Sequence, residues 1–378
     1  MIGKRAQRWQ TRGKRAQGQV SSELAAGANE LRGGRPEVAD QGQASSELAE
    51  VADQGQTSSE VAEQANELRG GRPRAGRPGK PRRQRNEELQ NMYKIRRKGA
   101  SPVMVQRELD GMEYLVFPAL EETGMVRHMF GTRVGGVSEG KYATVNFSYT
   151  LGDRPECVDE NYRRAARILT RDGDIGRFVT GQQTHTTNVR AVTEEDRGKG
   201  VVRERDYQDV DALITNVPGL VLTTFHADCP PVYIVDPVRR AIGLAHSGWK
   251  GTIGEISRCT LERMAEEYGT RPEDCICAIG PSICQDCYEV GSDVADRFRE
   301  QYQERVRDFE ILQPGKKPGK YQLGLWNAIR MVLLDCGVLP ERISVTDICT
   351  RCNCGYLYSH RITGFERGNM AAFLSIRD

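Results

Sequence analysis

Almost everything this chain needs for a packed interior lies after residue 91. Residues 1–91 hold one aromatic side chain, Trp9, no cysteine, and 16 Lys/Arg against 12 Asp/Glu. The remainder holds all eleven cysteines and 38 basic against 40 acidic residues. The first segment also repeats itself. GQVSSELA at 18–25 returns as GQASSELA at 42–49 and GQTSSEVA at 55–62, and ANELRGGRP at 28–36 returns at 65–73. These spacings are too irregular for a solenoid, and the large apolar groups are too few to offset chain entropy. A disordered low-complexity tail is therefore expected over 1–91, ending in the basic Pro/Gly linker RGGRPRAGRPGKPRRQR at 69–85. Its positive charge reads as a solvated tail rather than as a site for acidic polymers.

Residues 92–378 are long enough to bury a substantial core as a single domain. Their near-neutral charge gives no reason to expect a nucleic-acid partner. No 18-residue apolar run or signal-peptide core is present, so neither membrane insertion nor export is expected. Eleven cysteines without a secretion signal then read as reduced thiols in a cytoplasm.

Short apolar runs alternate with helical periodicity from residue 112 onward. MEYLVF (112–117), VRHMFGTR (126–133), LVLTTFHA (220–227) and AIGLAH (241–246) read as strands, and RFVTGQQTHTTNVRAV (177–192) as two strands meeting at a bend near His185. RISVTDI and GYLYSHR read as late strands. Helices are expected over 158–170, 254–268 and 321–338, the last stopped by Gly337 and Pro340. The cadence lacks regular βαβ units and a GxGxxG turn, so no dinucleotide fold is supported. The expected class is α+β, with layered mixed sheets flanked by helices and a site at strand ends.

Three residues stand in an order that suits a catalytic metal: His185 in GQQTH, Cys229 in HADCPP and His246 in LAHSGW. One thiolate and two imidazoles make a three-ligand zinc set with a fourth position open. Each alone also fits a buried packing residue, and spacings of 44 and 17 residues match no short metal motif. A fold has to bring them together. The stretch from Cys229 through a turn and strand to His246 does so if the chain runs out and back as a strand pair. His226, three residues before Cys229, is read as a supporting or structural residue rather than a ligand. Two CxxC pairs, Cys284/Cys287 and Cys349/Cys352, offer a second candidate metal set, though the long stretch between them exceeds that of a zinc ribbon.

Six blocks then carry a family resemblance: GTRVGGVSEGKYATVNFSYTLGD, GQQTH, HADCPPVYIVD, AIGLAHSGWKGT, GPSICQDCYEVG and SHRITGFERGNMAAFL. In this order they resemble the laccase-domain family over residues 92–378. That family is also called multicopper polyphenol oxidase or peptidoglycan-editing factor, and was later assigned as purine nucleoside phosphorylase. The resemblance implies zinc on His185, Cys229 and His246, and cysteines without metal at Cys287 and Cys349, hence one zinc per chain. It implies phosphorolysis of inosine, adenosine and methylthioadenosine, with adenosine deamination, and so purine nucleosides and phosphate as partners. Met92 lies at the start of the resembling part, which also suits a translation start there.

The remaining candidates concern the substrate. Arg133 with the Gly135–Gly136 turn, and Lys250 in SGWKGT ahead of the 254–268 helix, are read as provisions for an oxyanion. Asn146 and Gln183 are candidates for sugar or base, Asp228 for acid/base work or for orienting an imidazole, and Arg361 and Arg367 for an acidic group or for closing the site. ERGNMAAF around Arg367 departs from the T-G-R-type block of many relatives. Two rivals use the same residues. A cysteine amide hydrolase acting on peptidoglycan precursors would employ Cys229 as nucleophile and His246 as base. Copper is the less favoured metal, because a multicopper oxidase needs about ten histidines and this chain has five.

Overall fold

Along the expected strands, successive side chains enter different cores, which requires sheets covered on both faces. The structure, a computed structural model, describes residues 94–378 apart from Arg171. The expected tail over 1–91 and the domain start at 92 lie outside the described residues.

One six-stranded sheet has the order β1 (Val105–Leu109), β2 (Met112–Val116), β3 (Val126–Gly131), β15 (Met370–Ile376), β7 (Val221–His226) and β4 (Phe178–Thr180). A second has the order β14 (Ile343–Val345), β10 (Ile276–Ile279), β8 (Pro231–Asp236), β9 (Ala241–His246), β6 (Ala212–Thr215) and β5 (Val189–Ala191). The two sheets share one core, in which Leu115, Phe130, Leu222 and Leu374 of the first meet Leu213, Tyr233, Ile242 and Leu244 of the second. The alternate residues Met129, Val221 and Phe373 face outward against Tyr162, Ala165 and Leu169 of helix α2 (Pro155–Leu169). On the far side, Ile214, Ile234 and Ala245 pack on Ile256, Leu261 and Met264 of α4 (Ile256–Tyr268) and on Ile329 and Val332 of α7 (Leu325–Cys336). The layers are thus helix, sheet, sheet, helix. Each fully buried large aliphatic contributes about 1.5–3 kcal/mol. A three-stranded sheet of β11 (Glu289–Gly291), β13 (Lys320–Leu323) and β12 (Leu312–Pro314) lies beside them in sequence with α5 (Ser292–Tyr302) and α6 (Arg305–Asp308). Among the described residues no helix is long and apolar enough to cross a membrane.

The α+β class and most elements match the sequence reading, with three departures. Residues 320–323 form strand β13, not the first turn of the 321–338 helix, because the segment pairs with both β11 and β12 before Gly324 releases it. GYLYSHR is turn and the short helix α8 (His360–Thr363), while the late strand is MAAFLSI, inserted between β3 and β7. The helix after His246 is broken into α3 (Trp249–Ile253) and α4 by Glu255, whose φ of 57° is left-handed.

The chain passes from the first sheet to the second twice, between β4 and β5 and between β7 and β8. His185 lies in one crossing and Cys229 in the other. Strands β8 and β9 are the expected out-and-back pair, with Pro231 opposite His246. This register returns His246 to within two residues of Cys229 along the sheet.

The inter-sheet core also holds a histidine whose titration works against the fold. His128 Nε2 accepts the Phe117 N–H at 2.8 Å, Nδ1 has no partner, and the ring packs on Phe117 and Tyr233. Burial, then the Arg377 charge, pushes its pKa down to about 3. The unfolded chain binds this proton below the ordinary histidine pKa of about 6.5 while the native state refuses it. Stability therefore falls as pH drops from about 6.5 towards 3, by up to roughly 1.4 kcal/mol per pH unit. His128→Gln keeps an acceptor without the titration, so denaturant unfolding from pH 7 to 4 should show a flatter dependence than wild type. Parallel curves would remove His128 as the cause.

Candidate metal centre

Both sheet crossings bend through left-handed backbone at non-glycine residues, His185 with φ of 64° and Asp228 with φ of 89°. Such conformations persist only where neighbours hold them, and here the holding groups are visible. Asp211, immediately before β6, accepts the Thr184 and Thr186 N–H groups on Oδ2 at 3.1 and 2.8 Å and the His185 N–H on Oδ1 at 3.2 Å. It also accepts the Thr186 hydroxyl at 3.0 Å. One buried carboxylate thus fixes the turn that presents His185.

The same carboxylate orients the second histidine. His246 Nδ1 donates to Asp211 Oδ1 at 2.8 Å, so Nε2 is the nitrogen that can offer a lone pair to a metal once its proton is displaced. Carboxylate–histidine pairs of this kind set the tautomer and direction of metal ligands. The His185 and His246 rings lie 4.9 Å apart, and His185 Nε2 is 3.9 Å from Cys229 Sγ. Donor atoms of His185, Cys229 and His246 all fall within 4.8 Å of one another. His246 is buried, whereas His185 and Cys229 are only partly covered.

Electrostatics favour the ligand form of the thiol. Burial raises the Cys229 pKa, but the charge of His246 and hydrogen bonds from His185 and His246 outweigh it and bring the pKa down to about 6. Burial lowers the His246 pKa, and the Cys229 charge with the Asp211 hydrogen bond carries it up to about 9. Gly248 completes the cradle: a Cβ there would lie 2.7 Å from His185 Cδ2 and 3.1 Å from Cys229 Sγ. A soft thiolate, two imidazoles and an uncovered side fit a zinc ion.

Most other candidates are committed to holding the protein together. Asp228 accepts Thr350 Oγ1 on Oδ1, and Ser359 Oγ and the Arg361 N–H on Oδ2, so it braces the Cys229 turn. Gln183 grips the Phe225 backbone at both its N–H and its carbonyl, pinning the His185 turn to β7 instead of facing a sugar. Asn146 is fully buried and bonds Ser148, Asp153 and the Asn369 N–H, which leaves nothing for a base. Gly135 and Gly136 do not form an open anion cradle, because both N–H groups donate to Thr144 Oγ1 at 3.1 Å. Arg133 donates to the Ala143 and Cys354 carbonyls and stacks on Tyr358. Arg361 donates to the Glu289 carbonyl and lies over Tyr288, while Arg367 bonds Gly368 and Asn369. Lys250 is exposed and has no ion-pair partner among the described residues. The break at Glu255 separates it from the long helix whose start was to bind phosphate. His226 is a support, its ring bonded to Thr224 Oγ1 and to the Cys229 carbonyl.

Two site residues escaped sequence reasoning. Asp211 was detectable only as a carboxylate at the entry of an apolar run, DVDALIT, and Gly248 only as part of the AHSGW block.

Residues 127–377 match the family described as multi-copper polyphenol oxidoreductase laccase. The purine nucleoside phosphorylase YlmD of Bacillus subtilis (strain 168) is 34% identical over 253 residues, covering 66% of this chain and 88% of that protein. The adenosine deaminase RL5, from an unknown prokaryotic organism, is 33% identical over 242 residues, covering 63% of this chain and 90% of that protein. The crystal structure of YlmD from Geobacillus stearothermophilus matches with a TM-score of 0.65 at 32% identity, covering 74% of this chain and 100% of that one. The chain belongs to the multi-copper polyphenol oxidoreductase laccase family, as its six sequence blocks implied.

Proposed function

We propose that this protein is a zinc-dependent purine nucleoside phosphorylase that also deaminates adenosine. The observation that carries the reading is the convergence of His185, Cys229 and His246 on one point beside a solvent-accessible side, in a chain similar to enzymes named for those two activities. Zinc held there supplies a Lewis acid that acidifies water and stabilises developing negative charge. The chain's own residues do the rest. Asp211 holds His246 in one tautomer and fixes His185, and Asp228 braces the turn bearing Cys229. Lys250, two residues beyond Gly248, is exposed and without an ion-pair partner among the described residues, and it is the cation we assign to phosphate. A copper oxidase is disfavoured because His128 and His226 are committed to packing and hydrogen bonds.

The test is product analysis of purified full-length protein. Inosine with phosphate should yield hypoxanthine and ribose 1-phosphate, and adenosine should yield adenine and some inosine. Base release without phosphate dependence would count against phosphorolysis. One observation favours a second reading: the Asp211 carboxylate holds His246, whose charge in turn favours the Cys229 thiolate. A cysteine amide hydrolase acting on a peptidoglycan precursor requires Cys229 free of metal. Metal-replete protein that ignores both nucleosides, while metal-free protein cleaves that amide, would establish this rival.

A further inference from the structure

We propose that Cys284, Cys287, Cys349 and Cys352 hold a second metal ion, a structural zinc in an all-thiolate tetrahedral site. The four sulfurs lie within 4.8 Å of one another, and Cys287 Sγ is 3.5 Å from Cys352 Sγ. That separation is far beyond a disulfide bond of about 2.05 Å. It is close to the edge of about 3.8 Å that a tetrahedron with Zn–S bonds of about 2.3 Å has. The inference is independent of the nucleoside chemistry proposed above, and it replaces the expectation of one zinc per chain.

The local structure is that of two facing metal turns. Cys284 leads into a short 3-10 turn, closed by the Cys287 N–H on the Cys284 carbonyl at 3.0 Å. Cys349 leads into the other, in which the Cys352 N–H points at Cys349 Sγ at 3.5 Å. A parallel bridge between Ser282 and Cys349 sets the turns side by side, and the Cys284 N–H points at Cys349 Sγ at 3.3 Å. Amides aimed at sulfur favour thiolate over thiol. Four thiolates around one divalent ion leave a net charge of −2, and a cation stands at the sulfurs: Arg351 Nη1 is 3.7 Å from Cys287 Sγ.

Other cysteines show what plain packing looks like here. Cys275, Cys277 and Cys336 belong to the large core around α4 and α7. Cys284 and Cys349 instead form a small separate apolar cluster with Ile283, flanked by Trp326 and Tyr288. The site would also support the first centre. Thr350, next to Cys349, donates to Asp228 Oδ1, and the Ile283 N–H donates to the Asp228 carbonyl at 2.9 Å. Asp228 precedes Cys229, so one ion clamps two distant turns beneath the ligand-bearing one.

Binding replaces four S–H bonds by four Zn–S bonds and releases the thiol protons to solvent. Elemental analysis of protein purified with zinc should give two ions per chain. Cys229→Ala and Cys352→Ser should each retain one, and the double variant none. Cys352→Ser should also lower the melting temperature by about 5 °C or more. Peptide-mapped thiol labelling of the wild type supplies a readout free of folding artefacts. Cys287 and Cys352, both partly exposed, should be protected in the zinc-loaded protein and modified after chelation. One zinc in the wild type that Cys229→Ala removes, equal labelling with and without chelator, or a Cys287–Cys352 disulfide by intact mass would each overturn the proposal.

Discussion

Asp211→Asn should weaken zinc binding at the His185–Cys229–His246 centre by about 10- to 100-fold, with a comparable loss of kcat/KM on nucleosides. The carboxylate accepts from five groups: the N–H groups of Thr184, His185 and Thr186, the Thr186 hydroxyl and His246 Nδ1. An amide has one oxygen, so either orientation turns its NH2 towards N–H donors for which Asp211 is the acceptor, although the Thr186 hydroxyl can still turn to the Asp209 carbonyl. If the NH2 faces His246, the imidazole must present a lone pair at Nδ1, and its Nε2 then carries the proton that a metal has to displace. If it faces Thr184 and Thr186, the turn holding His185 at its left-handed φ loses its anchor. The Asp211 carboxyl is buried, yet its pKa is depressed, because His246 and the backbone amides outweigh the burial. It is therefore a permanent anion at neutral pH. Competition with a chromophoric chelator measures the zinc affinity directly, and an Asp211→Asn protein that binds zinc like wild type would show that the ligands position themselves.

The convergence of His185, Cys229 and His246 was legible in the sequence because the chemistry of Cys and His is distinctive and because an out-and-back strand pair returns His246 close to Cys229. The layered α+β class was legible from apolar periodicity. What could not be read is which polar side chains are already spent inside the protein. Asn146 meets the Asn369 N–H across 223 residues, and Arg133 meets the Cys354 carbonyl across 221. Residue type alone cannot distinguish such a brace from a substrate contact. The Gly135–Gly136 turn failed for a related reason, since the Thr144 hydroxyl that fills it comes from eight residues downstream. The CxxC pairs are the reverse case. Their sequence separation argued against a shared ion, and the Ser282–Cys349 bridge that abolishes that separation in space leaves no trace in spacing or composition.

Gly248→Ala should separate metal binding from folding. Gly248 has φ of −63° and ψ of 175°, a conformation open to alanine, so the substitution imposes no backbone strain. Its methyl group, however, would stand 2.7 Å from His185 Cδ2 and 3.2 Å from His185 Nε2, with Cys229 Sγ at 3.1 Å. The imidazole is the softest of these neighbours and yields first, by rotating away at small cost to the fold. That rotation moves a ligand nitrogen off the point where three donors meet, and misplacing a reacting group by about 1 Å costs on the order of 100-fold in rate. The expected result is a metal-free protein that unfolds within about 1 kcal/mol of metal-free wild type, binds less zinc at this centre, and loses on the order of 100-fold in kcat/KM. Gly248→Val, with two further methyl groups in the same space, should lose more of both. Unchanged zinc content and turnover in Gly248→Ala would mean that the three ligands have slack at the positions seen here, and that the close approach of the Ser247–Gly248–Trp249 backbone does not shape the site.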